Sequence, residues 1–541
     1  MIITLINPPA LVARYNYSTL SHPPLGLAYI AAFLEQQDHD VCIIDAIGSA
    51  IDRFSAYEQA PGFFVQGLSV ENIVSRIDPR SRIIGFSCLF THAWPFVREL
   101  IAAVRRAVPQ AFLVAGGEHA TAMADVCLAQ SPLDLCVLGE GEVTMAAVAH
   151  ALEKGLPLES VPGIVYRDRG TGRIMHTPRR ARIRNLSRLP RPAWHRVSPH
   201  VYRVYEGAAT GPTMPMVGSR GCPFKCRFCA APNMWGHCWK KREPADIVDE
   251  MEDYAKRFGT REFQFFDISP FLSKPWTKAL CREIIDRGLK TAWQAPAGVR
   301  AEVIDQQVAG LLVASGHTRI QFALESGSPA VRKAVNKKMD IARFEAGLTA
   351  ALSAGMKVCV LFIIGYPGET LSDVRMTCKS IRQMAAKGVH EIAISTFVPL
   401  PGTAIFDELH KNGQLEINDN YCLKMADATA LTHATSWNPL FSNRHLLLFK
   451  WLGILQFYGL SFLLHPSRGL RTLRNLIRGV QESKTDRAIA EIRQKLAIRL
   501  SEKNGGNDSL LSYKTLPGFC STLCKKNSPI IVDKTKNTLM T

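Results

Sequence analysis

Residues 219–236 read SRGCPFKCRFCAAPNMWG, and this stretch holds three closely spaced cysteines, Cys222, Cys226 and Cys229. Their C-x3-C-x2-C spacing lets one loop wrap three thiolates around an iron–sulfur cluster. A four-iron cluster held by three thiolates keeps one iron open to a small molecule, much as catalytic zinc sites keep an open position. The alternatives are chance and a zinc site completed by His237 or Cys238.

Alternating strands and helices flank this loop. One strand is predicted immediately before it, at 214–219, and five more follow it, at 263–267, 291–296, 319–326, 357–365 and 391–399. Amphipathic stretches predict the intervening helices at about 244–257, 275–287, 302–315, 329–334, 341–354 and 371–387. Repeated βα units over 213–425 predict a partial (β/α)6 barrel of the TIM type, with its chemistry at the carboxyl ends of the strands.

The cysteine spacing, with the aromatic Phe228 before the last cysteine, resembles the signature of the radical SAM superfamily. The resemblance implies that the three thiolates hold a 4Fe-4S cluster and that S-adenosyl-L-methionine (SAM) chelates the open iron through its amino and carboxylate groups. Phe228 would lie beside the adenine. Further SAM-binding residues implied by position are Asp267, Arg300, Glu325, Ser326 and Gly365, and the run Pro399-Leu400-Pro401-Gly402-Thr403 matches the sixth strand end.

These residues also have ordinary structural interpretations. Asp267 is placed to cap a helix, Glu325 to pair with a nearby lysine, and IIGYPGET (363–370) to form a plain turn after a strand. Ile268 stands where close relatives have a further acidic residue, which leaves the contact to the SAM amino group open. The order and spacing of the set behind the cysteine motif favour the SAM site.

The first 170 residues alternate apolar strands with helices, a pattern typical of a doubly wound, Rossmann-like parallel sheet. Predicted strands lie at 3–7, 41–45, 82–87, 111–117 and 135–142, with helices at 25–37 and about 95–107. Ligands of such sheets bind at the carboxyl ends of the strands. Together with the downstream cysteine motif, PPLGLAYIAAFLE, VAGGEHA and VLGEGE resemble the cobalamin-binding domain of one large radical SAM group.

That second resemblance implies a cobalamin site at polar and Gly-rich strand ends, formed by Ser87, Gly116, Gly117, Glu118, Gly139, Glu140, Gly141 and Glu142. The glycines would admit the corrin and its nucleotide tail. The D-x-H-x-x-G sequence whose histidine ligates cobalt is absent, because Asp38-His39-Asp40 has the wrong spacing. His119 is interpreted as a polar loop histidine.

The other regions have weaker patterns. An Arg/Pro-rich stretch at 171–212 predicts a linker, 426–504 a C-terminal helical region and 505–541 a disordered tail, in which Cys520 and Cys524 lack a third partner. The apolar run 446–464 fits either a helix buried on the barrel or a membrane-surface helix, with weak lipid contact through 446–480. The helical spacing of Arg471, Arg474 and Arg478 suits an anionic substrate or solvent.

The charge and the cysteine content limit which partners and which cellular compartment fit the sequence. The net charge is +18, and residues 441–541 carry 17 Lys/Arg against 6 Asp/Glu, which suits a solvated tail, anionic lipid or a phosphorylated substrate; no nucleic acid is expected as a partner. The opening MIITLINPPA has neither a basic lead nor a cleavage site, so a cytoplasmic protein with reduced cysteines is expected.

The combined resemblance implies a C-methyltransferase of class B. It would act on an unactivated carbon of a natural-product or secondary-metabolite intermediate, through a 5′-deoxyadenosyl radical and methylcobalamin, with a low-potential donor of the flavodoxin or ferredoxin type. The first alternative is a cobalamin-dependent cyclase or oxidative ring-former resembling the anaerobic magnesium-porphyrin cyclase. Radical chemistry without cobalamin and a non-enzymatic iron–sulfur or nucleic-acid-binding protein are further alternatives.

Overall fold

The computed structural model describes residues 1–14, 22–202 and 213–479, with isolated helical positions at 486 and 489. The predicted tail at 505–541 and most of 480–504 lie outside the described residues, as do Cys520 and Cys524.

The N-terminal region contains ten strands and six helices among its described residues. In chain order they are β1 (Ile2–Asn7), β2 (Ala10–Ala13), α1 (Leu25–Glu35), β3 (Asp40–Asp45), β4 (Phe54–Ala56), β5 (Phe63–Gln66), α2 (Val70–Val74), β6 (Ile83–Ser87), α3 (Trp94–Ala107), β7 (Phe112–Gly116), α4 (Glu118–Ala122), α5 (Ala124–Gln130), β8 (Leu135–Val137), α6 (Gly141–Lys154), β9 (Ile164–Arg167) and β10 (Ile174–His176).

Seven of these strands form one sheet in the order β10-β9-β8-β7-β6-β1-β3. The five strands from β8 to β3 are parallel to one another, whereas β9 pairs antiparallel with both of its neighbours, β8 and β10. The parallel part has the 2-1-3-4-5 order of doubly wound sheets, and its switch point lies between β1 and β6. The predicted Rossmann-like sheet is therefore confirmed.

The sheet is covered on both faces because its central strands are apolar on both sides. Apolar residues of α1 and α6 pack on one face, in a core that includes Ile3 and Ile83. Residues of α3 pack on the other face, in a core that includes Ile6 and Ile84. Two features were not predicted: β10 lies in the stretch assigned to the linker, and β2, β5 and β4 form a small antiparallel sheet.

The second region follows the predicted βα series. Its elements are β11 (Thr213–Met216), β12 (Ser219–Arg220), α7 (Ala231–Trp235), β13 (Lys240–Lys241), α8 (Pro244–Phe258), β14 (Glu262–Phe265), α9 (Lys274–Asp286), β15 (Ala292–Gln294), α10 (Gln306–Ala314), β16 (Arg319–Glu325), α11 (Pro329–Ala334), α12 (Ile341–Ser353), β17 (Lys357–Ile364), α13 (Leu371–Ala386), β18 (Glu391–Thr396) and α14 (Ala404–Lys411).

Six parallel strands form the partial barrel. β11, β14 and β15 pair in one set, and β16, β17 and β18 in another. A parallel bridge between Val299 and Phe322 joins the two sets. The predicted (β/α)6 architecture is confirmed, and its strand ends point the cysteine loop and the later motifs toward one side.

Three C-terminal helices complete the described chain: α15 (Asp419–Lys424), α16 (Asn443–Leu464) and α17 (Pro466–Arg478). α16 packs on α13 and β18 through one face only. Its Lys450, which interrupts the apolar run in the sequence, is buried and donates to the carbonyl oxygens of Ala428 and Ala430 at 3.3 and 2.8 Å. By length and composition α16 is the one described helix able to cross a membrane, and 28% of its apolar window is buried.

Candidate active site

The cysteine loop leaves the carboxyl end of β11 and closes on a short hairpin. β12 and β13 pair antiparallel, so they join the two ends of the loop that carries the three cysteines and α7. Inside the loop, the amide of Cys229 donates to the carbonyl of Cys226 at 3.3 Å. Local backbone pairing therefore shapes this loop.

The three thiols are free and partly exposed: Cys222, Cys226 and Cys229. Burial raises the pKa of Cys226, against which the positive charges of Lys337 and Arg300 act. Burial also raises the pKa of Cys229 to about 11. In the described part of the chain no three His, Cys, Asp or Glu side chains are close enough to hold one metal ion.

Charged groups stand beside the cysteines. Glu325, at the end of β16, adopts a left-handed backbone with φ of 68°. It accepts a hydrogen bond from the Lys337 ammonium at 2.9 Å, and both side chains are buried. The Arg300 guanidinium lies 3.5 Å from the ring centroid of Phe224. These cations oppose the negative charge that three thiolates would bring.

The turn after β17 forms the next wall. Gly365 has φ of 86°, and a Cβ there would lie 2.9 Å from Leu446 of α16, so a side chain is excluded on two counts. Its amide donates to the Glu369 carboxylate at 2.5 Å. The Tyr366 ring meets Phe228 edge-on, with centroids 5.5 Å apart. The carbonyls of Tyr366 and Glu369 both accept from Asn438, which fixes the turn from outside.

The turn at 365–369 and the segment after β15 each contain buried polar atoms without a partner among the described residues. Within the described residues they include Tyr366 Oη, Glu369 Oε1, Arg300 Nη2 and Glu302 Oε2. Buried polar atoms almost always have hydrogen-bond partners, so these atoms are suited to bind a polar ligand. Burial raises the pKa of Glu369 to about 7, in keeping with this enclosed position.

Two predicted SAM residues are engaged inside the protein. Asp267 accepts from the Gly218 amide at 2.8 Å and the Ser219 hydroxyl at 2.5 Å, at the base of the cysteine loop. Burial raises its pKa to about 6. The Ser326 hydroxyl lies 3.2 Å from that of Thr377, in the interior. Both side chains brace the site, and their direct contact with SAM stays a prediction.

The predicted cobalamin residues lie where expected, at the carboxyl ends of β6, β7 and β8, but α7 of the cysteine loop covers part of this edge. Asn233 of α7 donates to Glu118 at 2.9 Å, and burial raises the pKa of Glu118 to about 7. Gly117 has φ of 109°, and a Cβ there would lie 2.7 Å from the Cys88 carbonyl oxygen. The chain's own backbone thus requires this glycine, and the predicted contact with the corrin is untested.

Glu140 and Glu142 are held by arginines that belong to the later part of the chain. Arg220 of β12, two residues before Cys222, donates to Glu140 at 3.2 Å and to Glu142 at 2.6 Å. Arg182 also donates to Glu140, at 2.8 Å. All four side chains are largely buried. This ion network joins the carboxyl edge of the sheet to the root of the cysteine loop.

Burial favours the neutral form of two histidines at the sheet edge. His119 Nδ1 lies 3.2 Å from Thr91 Oγ1, and burial lowers the pKa of His119 to about 3. His92 contacts the Leu11 carbonyl at 3.1 Å, and burial lowers its pKa to about 4. His119 is therefore not the polar loop histidine that the sequence predicted, because it lies within α4 and is buried.

Comparison with protein families assigns both halves of the chain. Residues 216–381 match the model of the Radical SAM superfamily, and residues 15–149 match that of the B12 binding domain. The chain is a radical SAM enzyme with a B12-binding domain. The two matches confirm the cofactors predicted from the sequence, namely a 4Fe-4S cluster, SAM and cobalamin. In this enzyme the free thiols and the unpartnered polar atoms around them fit the first two.

Relatives of this radical SAM enzyme include two kinds of catalyst. It is 27% identical over 444 residues to the cytidylyl-2-hydroxyethylphosphonate methyltransferase of Streptomyces wedmorensis, covering 76% of this chain and 82% of that protein. It is 25% identical to the anaerobic magnesium-protoporphyrin IX monomethyl ester cyclase of Cereibacter sphaeroides, covering 78% and 66%. The radical SAM methyltransferase TsrM of Kitasatospora setae, solved with cobalamin and a [4Fe-4S] cluster, superposes with a TM-score of 0.59 at 19% identity, over 76% and 75%.

Several residues of the enzyme's site escaped the sequence analysis: Arg220, Lys337, Tyr366 and Glu369. Glu369 and Tyr366 lie within the quoted IIGYPGET, of which only Gly365 was assigned a role. Lys337 satisfies the expectation that Glu325 pairs with a lysine, but its position beside the cysteines depends on tertiary structure. Arg220 has a local signal, since a basic residue directly precedes the cysteine loop.

Proposed function

We propose that the enzyme is a cobalamin-dependent methyltransferase that acts on an unactivated carbon of a small natural-product or secondary-metabolite intermediate. The observation that carries this proposal is the buried network of Arg220 with Glu140 and Glu142. It joins the root of the cysteine loop to the carboxyl edge of the N-terminal sheet, which supports a shared space for the two proposed cofactor sites. The methyltransferase relative that covers most of the chain supports the same reaction.

The protein's own groups have separable tasks in this reaction. Cys222, Cys226 and Cys229 would hold the cluster, and the Lys337 and Arg300 cations would offset its charge. The turn at 365–369 would bind the polar parts of SAM through backbone and through the unpartnered Tyr366 hydroxyl. When bound, the cluster with SAM supplies a carbon-centred radical and the corrin supplies the methyl group. Enclosing the reacting groups between two domains keeps them aligned and excludes water.

The test is an anaerobic SAM-product assay after cluster reconstitution with hydroxocobalamin and a low-potential reductant. Wild-type enzyme should show bound corrin and cluster absorption and should release 5′-deoxyadenosine. Cys226→Ala should lose cluster and cleavage, whereas the matched variant Cys238→Ala, a neighbouring cysteine outside the motif, should keep both. Loss of metal in Cys238→Ala would instead support the zinc alternative, and a cluster without corrin would contradict the cobalamin proposal.

The cyclase remains the second candidate because an anaerobic cyclase aligns with 78% of this chain. The two reactions differ in SAM products when substrate is present. Methyl transfer yields S-adenosylhomocysteine together with 5′-deoxyadenosine, whereas ring closure yields 5′-deoxyadenosine without homocysteine product. Turnover with candidate metabolites and reduced flavodoxin or ferredoxin would decide between them and test the proposed electron donor.

A further inference from the structure

Exposed large apolar side chains concentrate at the C-terminal end of the described chain. Nine of the seventeen found among the described residues lie between positions 440 and 477. They are Leu440, Leu448, Leu452, Leu455, Leu463, Leu464, Leu470, Leu473 and Ile477. Isolated exposed leucines are ordinary on protein surfaces, but a continuous group marks an interaction site.

On α16 these residues form one stripe. Leu448, Leu452, Leu455 and Leu463 recur at helical spacing and are 42–77% exposed. The opposite face, which includes Lys450, is buried on the barrel. One side of α16 packs on the barrel and carries a buried lysine, which favours a helix lying on a lipid surface over one that crosses the bilayer.

α17 directly follows α16 and carries an exposed apolar face of its own. Leu470, Leu473 and Ile477 share one exposed face, at spacings of three and four residues. Arg468, near the start of the helix, donates to the carbonyls of Gly388 and Val389, each at 2.8 Å, and so ties α17 to the barrel. The folded protein therefore presents this apolar face outward.

Positive charge accompanies the apolar stripe. Residues 441–479 contain six Lys/Arg and no Asp or Glu. Lys450 is buried and Arg468 binds carbonyls, which leaves Arg444, Arg471, Arg474 and Arg478, of which Arg444, Arg474 and Arg478 are exposed. Apolar side chains bordered by arginines are the pattern of helices that lie in the interface of an anionic membrane.

We infer that the exposed face of α16 and α17 docks the enzyme on an anionic phospholipid surface. Leucines would enter the headgroup–acyl boundary while the arginines contact phosphates. A second copy of the chain is disfavoured because its own arginines would meet these. Nucleic acid is disfavoured because it would leave the leucines unburied.

The experiment is co-sedimentation of the reconstituted, full-length enzyme with vesicles of phosphatidylcholine, with or without phosphatidylglycerol. Binding should require phosphatidylglycerol and weaken with salt. The double variant Arg474→Glu/Arg478→Glu should bind at least about 25-fold less, since each basic residue near an anionic surface contributes roughly five-fold. The triple variant Leu470→Gln/Leu473→Gln/Ile477→Gln should also lose binding.

The control is Leu156→Gln/Ile285→Gln/Leu371→Gln, which removes three exposed apolar residues elsewhere, 38–46% exposed against 54–77% for the tested three, and should bind as wild type does. Cluster absorption and SAM cleavage report that each variant is folded. Equal binding to both vesicle types, or none, would overturn the proposal. A dimer seen by sedimentation that the triple variant dissociates would assign the face to a second copy instead.

Discussion

The Glu369 carboxylate beside the cysteine loop and the Glu140 and Glu142 carboxylates at the carboxyl edge of the N-terminal sheet are paired differently. Each region contains a carboxyl group whose pKa burial raises to about 7: Glu369 in the barrel, which is buried, and Glu118 at the sheet edge, which is partly exposed. Around the cysteines, Glu369 Oε1 and Tyr366 Oη have no partner in the described chain. At the sheet edge, Glu140 and Glu142 are occupied by arginines.

This difference separates groups left for a ligand from groups that hold the protein together. Unpartnered polar atoms cost stability in the empty protein and become useful when a ligand arrives. Fully paired carboxylates stabilise the fold, and removing one partner destabilises it because the remaining charge stays buried. Substitutions on the two sides should therefore have opposite effects on stability.

The largest effect is expected at the sheet edge. Arg220→Met removes a buried guanidinium and leaves Glu140 and Glu142 with less compensation, so unfolding should become easier by about 3–5 kcal/mol. Thermal unfolding with cluster absorption as a second signal would measure it, and the cluster should be lost with the fold of the loop. Arg257→Met, which breaks an exposed pair with Asp253, is the control and should cost less than about 0.5 kcal/mol.

The network around Arg220 also shows which parts of the site could be predicted from the sequence. The cysteines were predictable because three ligands and an aromatic residue lie within eight positions, which is close enough for a sequence pattern to identify the ligand set. The βα order was predictable because short apolar runs alternate with amphipathic stretches along the chain. Arg220 and Glu140 are 80 residues apart, so no local pattern connects them.

Glycines mark the other limit of the sequence analysis. Gly117 was assigned to the corrin, yet its positive φ and the Cys88 carbonyl already require a residue without Cβ. In a sequence, a glycine needed by the chain's own packing looks like one needed by a ligand. The same holds for Asp267, whose spacing fits SAM but whose carboxylate holds Gly218 and Ser219.

The next largest effect is expected at Glu369, where stability should depend on pH. Burial raises the folded pKa of Glu369 from 4.5 to about 7, so its favourable contribution is complete below pH 4.5 and is lost as pH rises to 7. Relative to Glu369→Gln, the wild type should lose about 3 kcal/mol of stability across this window. Unfolding at several pH values would measure it.

The counterpart at the sheet edge is Glu118→Gln. Glu118 is partly exposed and accepts a hydrogen bond from Asn233. Solvent screening should therefore make stability depend less steeply on pH at Glu118 than at Glu369. Parallel stability curves for wild type and both variants would contradict the assignment of raised pKa values to these carboxyls.

The smallest effects come from removing one hydroxyl on each side. Tyr202, at the sheet edge, donates to the buried Asp45 carboxylate, whose oxygens lie at 2.7 and 2.8 Å. Tyr202→Phe should destabilise the enzyme by about 1.5–3 kcal/mol, as expected for a hydrogen bond to a charged group. Tyr366→Phe removes a buried hydroxyl that has no partner, so stability should stay equal or rise by about 1 kcal/mol.

SAM binding should rank the two tyrosine variants in the opposite order from stability. If the Tyr366 hydroxyl bonds to SAM, Tyr366→Phe should weaken SAM binding by about five- to ten-fold, measured by calorimetry on cluster-loaded enzyme, because one hydrogen bond is lost. Tyr202→Phe lies away from the cysteines and should bind SAM as wild type does. A Tyr366→Phe variant that is less stable and binds SAM normally would place that hydroxyl among the structural groups, and the contrast between the two regions would fail at its most direct point.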